Sequence, residues 1–184
     1  MLDNLLAKFN DNPLATGALF LFVLSSAVTL SALGFEHIGG YKPCPLCLIE
    51  RRAWYFALIA SLLVIWGSKT KFDGGYLALL LLGLIGLGFL YNAGLAGYHA
   101  GVEWKWWEGP TSCTGDQLNE LGGGAGGFLA ALNKTQIIRC DIAQFRLFGL
   151  SFSGYNFLLS LLAAAVALGT WLFAALRLKN KCDC

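Results

Sequence analysis

Charge is what this chain has least of. Lysine, arginine, aspartate and glutamate make up 13% of its 184 residues and 57% are hydrophobic, against about 25% and about 45–50% in soluble domains. A water-exposed surface cannot be assembled from that composition, so the chain is read as a membrane protein. The net charge of +2 leaves no basic patch for a nucleic acid. No long apolar run carries a charge near its middle, which counts against a transporter. Histidine is nearly missing as well, with only His37 and His99 present. Since Cys113 and Cys140 stand far from each other and from any histidine pair, no four-ligand zinc set is legible and no metal is assigned. The polar residues 1–12 lack a basic n-region, and the apolar run behind them exceeds a usual signal-peptide core.

What is present is thiol chemistry. The stretch Lys42-Pro43-Cys44-Pro45-Leu46-Cys47-Leu48-Ile49-Glu50-Arg51-Arg52 runs a CxxC pair straight into a hydrophobic segment. Pro45 suits a helix start, having a fixed φ and no N–H to leave unpaired. The helix N-terminus is expected to favour the thiolate of Cys47. Arg51 follows Cys47 by four residues, so on a helix the two share a face and the arginine aims a permanent cation at the sulfur. Arg52 is read as an interfacial anchor. Six cysteines in all, four of them expected on one side of the membrane, suit an oxidising compartment.

Four apolar runs organise the chain as one domain over residues 1–184, with spans at about 13–33, 48–66, 76–98 and 150–176 and outer loops at 34–47 and 99–149. The fold class is therefore an all-α membrane protein, a four-helix transmembrane bundle whose second outer loop is long and partly flexible. Only the 14 residues from Ala53 to Trp66 are uncharged in the second run, about 21 Å of helix against a hydrocarbon core of about 30 Å. Glu50, Arg51 and Arg52 are thus expected inside the helix at headgroup depth, with their heads snorkelling outward. The third run carries a small-residue stripe, Ala93, Gly97 and Gly101, that permits close helix contact. It delivers His99 to the depth of Cys47, where a side chain titrating near neutrality can handle protons. Trp104, Trp106 and Trp107 resemble an interfacial belt, and Gln144 to Leu150 is expected to lie along the membrane surface. Arg177, Lys179 and Lys181 close the last run and place both termini on the cytoplasmic side. Cys182 and Cys184 then fall on the reducing side and read as incidental thiols.

Taken together, Cys44, Cys47, Glu50 and Arg51 at the outer end of the second span, Tyr98-His99-Ala100 after the third, and Cys113 with Cys140 in the long loop resemble the bacterial disulfide bond formation protein B (DsbB) family. The resemblance covers nearly the whole chain. It implies an inner-membrane oxidoreductase that reoxidises a periplasmic DsbA-like oxidase of the thioredoxin fold and passes the electrons to a membrane quinone, ubiquinone or menaquinone. It implies catalytic roles for Cys44, Cys47, Cys113 and Cys140: the partner attacks Cys113, exchange through Cys140 reaches Cys44, and Cys47 donates to the quinone. Arg51 and His99 become the quinone-binding residues, Arg51 steadying the thiolate and the quinone oxyanion. An acceptor stronger than a thiol pair is required: a disulfide poised like thioredoxin's lies about 150 mV below DsbA, roughly 7 kcal/mol uphill for two electrons. Two other readings are weighed against this one. A vitamin K epoxide reductase-like enzyme places its loop pair before the CxxC, the reverse of the order here. A non-enzymatic scaffold would hold its cysteines as structural disulfides.

Overall fold

The computed structural model describes residues 12–68, 75–110 and 140–182, with side chains as far as Lys179. Four long helices make up most of it: α1 (Pro13–His37), α2 (Pro45–Gly67), α3 (Tyr76–Glu103) and α4 (Phe152–Cys182). Each packs on the next, and α4 returns against α1. Three of them, α1, α3 and α4, are long and apolar enough to cross a membrane. The apolar run of α2 is broken near its start by Glu50, Arg51 and Arg52, although the helix itself is continuous.

Local chemistry sets the helix ends. The Asn12 side chain accepts the N–H of Ala15 at 3.1 Å and Pro13 takes the first helical position, a good N-cap followed by a residue with no donor to satisfy. The sequence ends the first run at Leu33, whereas α1 continues one turn to His37 and closes when the Ile38 N–H reaches Gly34 O. Gly34 leaves the helix intact because one glycine in an apolar helix costs only about 1 kcal/mol. The third helix likewise runs past Tyr98 to Glu103, so His99 and Glu103 stand one turn apart on one face instead of entering a loop.

Contact between helices depends on small side chains, as expected where lipid provides no hydrophobic drive for association. Ala57, Ala163 and Ala167 are fully buried beside Val64, Leu82 and Ile85. A Cβ on Gly86 would sit 2.5 Å from Leu168 Cδ2, and one on Gly17 would sit 2.5 Å from Thr170 Oγ1. Of the expected stripe, Ala93 is buried, Gly97 faces the Phe157 ring and Gly101 lies under the Trp107 indole.

The segment before α4 departs from expectation. Gln144 to Leu150 does not simply lie flat: β1 (Arg146–Leu147) pairs antiparallel with β2 (Leu150–Ser151). The two-residue turn between them has φ of 50° at Phe148 and 83° at Gly149, the left-handed pair that a tight hairpin demands. The hairpin turns Ser151 inward at the mouth of α4. Around it Phe35, Tyr41, Phe145 and Phe152 pack ring on ring, with centroids between 4.9 and 6.3 Å apart. They lock the end of α1 and the first loop to the start of α4.

Candidate active site

Cys44 is the N-cap of α2, and its Sγ accepts the Cys47 N–H at 3.1 Å. The helix begins at Pro45, as that residue's fit to a helix start suggests, and a free donor of its first turn, the Cys47 N–H, serves Cys44. This reverses the expected assignment. Together with the hydrogen bond from the Cys47 thiol, the backbone donor holds the Cys44 thiol below its ordinary pKa even against burial. Cys44 and Cys47 are both free thiols, Cys44 buried and Cys47 half-buried.

His99 descends onto this pair from α3. Its Nε2 lies 3.7 Å from Cys44 Sγ and its Nδ1 2.8 Å from Glu50 Oε1. Glu50 is 4% exposed, and its second oxygen accepts the Asn156 Nδ2 amide at 2.7 Å. The expected outward snorkelling of Glu50 is therefore wrong. Inward-facing partners on α3 and α4 satisfy the carboxylate, and a hydrogen-bonded buried charge is tolerated where an unpaired one is not. With Nδ1 engaged by Glu50, Nε2 is the ring nitrogen left facing the Cys44 sulfur.

The polar set extends further. Asn156 Oδ1 accepts the Trp54 indole N–H at 2.7 Å, and Asn92 donates to Ser160 Oγ at 2.9 Å. Glu103 is buried and accepts short hydrogen bonds from both Ser151 and Ser153, while its Oε1 lies 3.9 Å from His99 Nε2. Three helices, α2, α3 and α4, and the hairpin thus bring buried polar groups to one end of the molecule.

Cys140 is 1% exposed and packs with Cys44 and Leu46 in one cluster, with Cys47 and Leu95 against it. It is disulfide-bonded. The neighbouring Asp141 holds Lys105 Nζ at 2.5 Å, and Gln144 donates to Lys42 O at 2.8 Å. Lys105 has φ of 61°, a strained turn just past the end of α3 that aims its ammonium back at the returning chain. These ties seat the end of the long loop on the CxxC.

A family model described as disulfide bond formation protein DsbB matches residues 15–170. The chain belongs to the DsbB family. Among curated relatives it is similar to disulfide bond formation protein B of Psychrobacter sp., 30% identical over 140 residues, covering 71% of this chain and 75% of the relative. The same protein from Herminiimonas arsenicoxydans is 37% identical over 86 residues, 46% of this chain and 51% of the relative, and that from Acinetobacter baumannii is 35% identical over 88 residues, 45% and 47%. The chain thus spans about half the length of these last two relatives. No solved structure matches it.

Within this DsbB-family fold, the structure brings Cys44, Cys47, His99 and Cys140 together. Cys113 lies outside the described residues, as do Cys184 and the Cys182 side chain. Arg51 points its Nη1 at Glu36 Oε2 of α1, 2.6 Å away, so the cation is shared with a carboxylate that the sequence reading left in the loop. Arg52 is exposed, as an anchor should be. Residues overlooked in the sequence are Glu103, Ser151, Ser153 and Asn156. Glu103 follows His99 by four, a same-face signal that was readable once the helix was known to continue.

Proposed function

We propose that this chain is a membrane protein-dithiol:quinone oxidoreductase. It spans the bacterial inner membrane four times with its cysteine loops in the periplasm, and reoxidises a DsbA-like thioredoxin-fold partner through two cysteine pairs. The observation that carries the reading is the burial of Cys140 against Cys44, which puts a loop sulfur within reach of a pair of free thiols capped by a helix N-terminus.

The exchange balances as follows. A thiolate of the reduced partner attacks Cys113 of a Cys113–Cys140 disulfide, and the partner's second thiolate resolves the mixed bond, leaving the partner oxidised and the loop pair reduced. The Cys140 thiolate then attacks Cys44 of an oxidised CxxC, releasing Cys47 as thiolate. Attack of Cys113 on Cys140 restores the loop disulfide and frees Cys44. His99 Nε2 is placed to take or return the Cys44 proton, with Glu50 fixing the ring.

A quinone supplies an acceptor for two electrons and two protons. The residues near Cys47 fit such a guest: Cys47 is only partly buried, and the adjoining Leu48 and Ile49 are 46% and 40% exposed, an apolar approach for a lipid-soluble molecule. Arg51 and His99 are the side chains we assign to hold it.

The decisive experiment is Cys113→Ser. With no resolving thiol, Cys140 is expected to remain bonded to Cys44, giving a Cys44–Cys140 cross-linked peptide by mass spectrometry after acid quench and alkylation, with partner oxidation lost. Absence of that cross-link while partner oxidation continues would remove the relay. A structural scaffold makes neither bond change.

A further inference from the structure

Along the sequence the CxxC has too few neighbouring ligands for a metal, but the fold supplies a third donor from another helix. Cys44 Sγ, Cys47 Sγ and a ring nitrogen of His99 all lie within 4.8 Å of one another. Zinc bonds of about 2.3 Å to sulfur and 2.0–2.1 Å to nitrogen place tetrahedral donors about 3.4–3.8 Å apart, and the sulfur-to-nitrogen separation here is already 3.7 Å.

We propose that the reduced Cys44 and Cys47 thiols with His99 form a binding site for one thiophilic d10 cation, Zn2+ or Cd2+, present only while the CxxC is reduced. Three independent features favour it. First, His99 is 2% exposed and its Nδ1 is committed to Glu50, which turns the Nε2 lone pair toward the sulfurs. Such a carboxylate–histidine pair is the usual outer support of a protein zinc ligand. Second, Glu103 Oε1 lies 3.9 Å from that Nε2, an oxygen donor beside the ligating nitrogen. Third, charge and softness match: two thiolates neutralise a divalent ion in a buried place, and sulfur with imidazole selects zinc-like metals over magnesium or calcium.

Binding releases the two thiol protons. Closing the Cys44–Cys47 disulfide consumes two of the three ligands, so metal and disulfide exclude each other. If the proposed function holds, a bound cation arrests the enzyme between loop exchange and electron delivery, since neither sulfur is then free to form the disulfide.

The test uses the full-length protein in detergent carrying Cys113→Ser, Cys140→Ser, Cys182→Ser and Cys184→Ser, so that Cys44 and Cys47 are its only thiols. After reduction and removal of reductant it is titrated with Cd2+, followed by sulfur-to-cadmium charge-transfer absorbance, with Zn2+ as competitor. One equivalent is expected to bind the reduced protein and none the same protein oxidised with diamide, a contrast that requires no further substitution. His99→Ala is expected to weaken binding at least about tenfold, with helicity by circular dichroism checking that it folds. Equal cadmium uptake by the two redox forms, or unchanged affinity in a folded His99→Ala, overturns the site. Since the titration needs neither quinone nor partner, its failure leaves the proposed function standing, and a protein that binds cadmium but never oxidises a partner sinks the function alone.

Discussion

Two stretches of the same helix stripes are built of opposite materials. On α2 the buried positions Ala57, Ala60 and Val64 are apolar, yet one turn before Trp54 the same face carries Glu50. On α3 the buried run Ala78, Leu82, Ile85 and Phe89 continues without changing face into Asn92, Ala96, His99 and Glu103. Packing alone explains the first half, where small side chains let helices approach. It cannot explain the second, because each buried ionisable group costs several kcal/mol before its partners offset it. A chain with so few charges overall nevertheless buries Glu50, His99, Glu103 and Asp141 at the end that holds the CxxC.

The sharpest way to test this contrast is Glu50→Ala, for which we expect the largest effect. It leaves the His99 Nδ1–H and the Asn156 amide without an acceptor, so a stability loss of about 3 kcal/mol should accompany a fall in partner oxidation of about 100-fold. Glu50→Gln, keeping a side-chain oxygen, should recover most of the stability but little of the rate. Thermal unfolding in detergent and a quinone-linked oxidation assay read the two separately. Equal losses in both quantities for Glu50→Gln would make Glu50 merely structural.

In the apolar half the pattern should invert. Gly86→Val pushes a side chain into Leu168 and Ala167, an overpacking worth about 1–3 kcal/mol, while the rate per folded molecule stays within about twofold. A Gly86→Val protein of normal stability and reduced rate would erase the distinction between the halves.

How much of this was readable beforehand follows from the same contrast. The apolar runs, the CxxC and the depth of His99 were legible because hydropathy and spacing are local properties. The outward orientation expected for Glu50 fails because adjacent charges look alike in sequence, and only the 3.6-residue stripe separates an inward Glu50 from an outward Arg52. The stripe Leu46, Glu50, Trp54, Ala57 was there to be followed. Asn156 and Ser151 carried no local signal: their meaning comes from α3 and α2, about 50 to 100 residues away. Pro45 at the first helical position makes Cys44 the N-cap, but which thiol the first-turn N–H reaches is a matter of one residue at a helix boundary, the least certain feature of any helix read from sequence.

Between the two halves stands the seat of the long loop. Asp141→Ala frees Lys105 and loosens Cys140 over Cys44. Because the Lys105 side chain is 62% exposed, stability should fall by less than about 1 kcal/mol. The transfer between cysteine pairs should slow more, by about tenfold, since exchange depends on how often the two sulfurs meet. Stopped-flow thiol trapping measures that step. A normal exchange rate would show that the ties flanking Cys140 are not what holds the sulfur in place.

The smallest effect belongs to α1, where two hydroxyls break the rule that the polar end obeys. Ser25 Oγ and Thr29 Oγ1 are buried without a hydrogen-bond partner among the described residues, whereas Ser26 one position on returns its hydroxyl to Phe22 O at 2.7 Å. A buried hydroxyl left unsatisfied costs about 1–3 kcal/mol. Ser25→Ala removes that group with almost no change in volume, so it is expected to leave the unfolding temperature unchanged or raise it by a few degrees, with activity intact. At Glu50 the same kind of truncation is expected to be ruinous, and the difference lies wholly in whether the polar atom has partners. A clear loss of activity in a stably folded Ser25→Ala would mean that this hydroxyl does meet something during turnover, extending the polar end along α1 and breaking the division drawn between the two stretches.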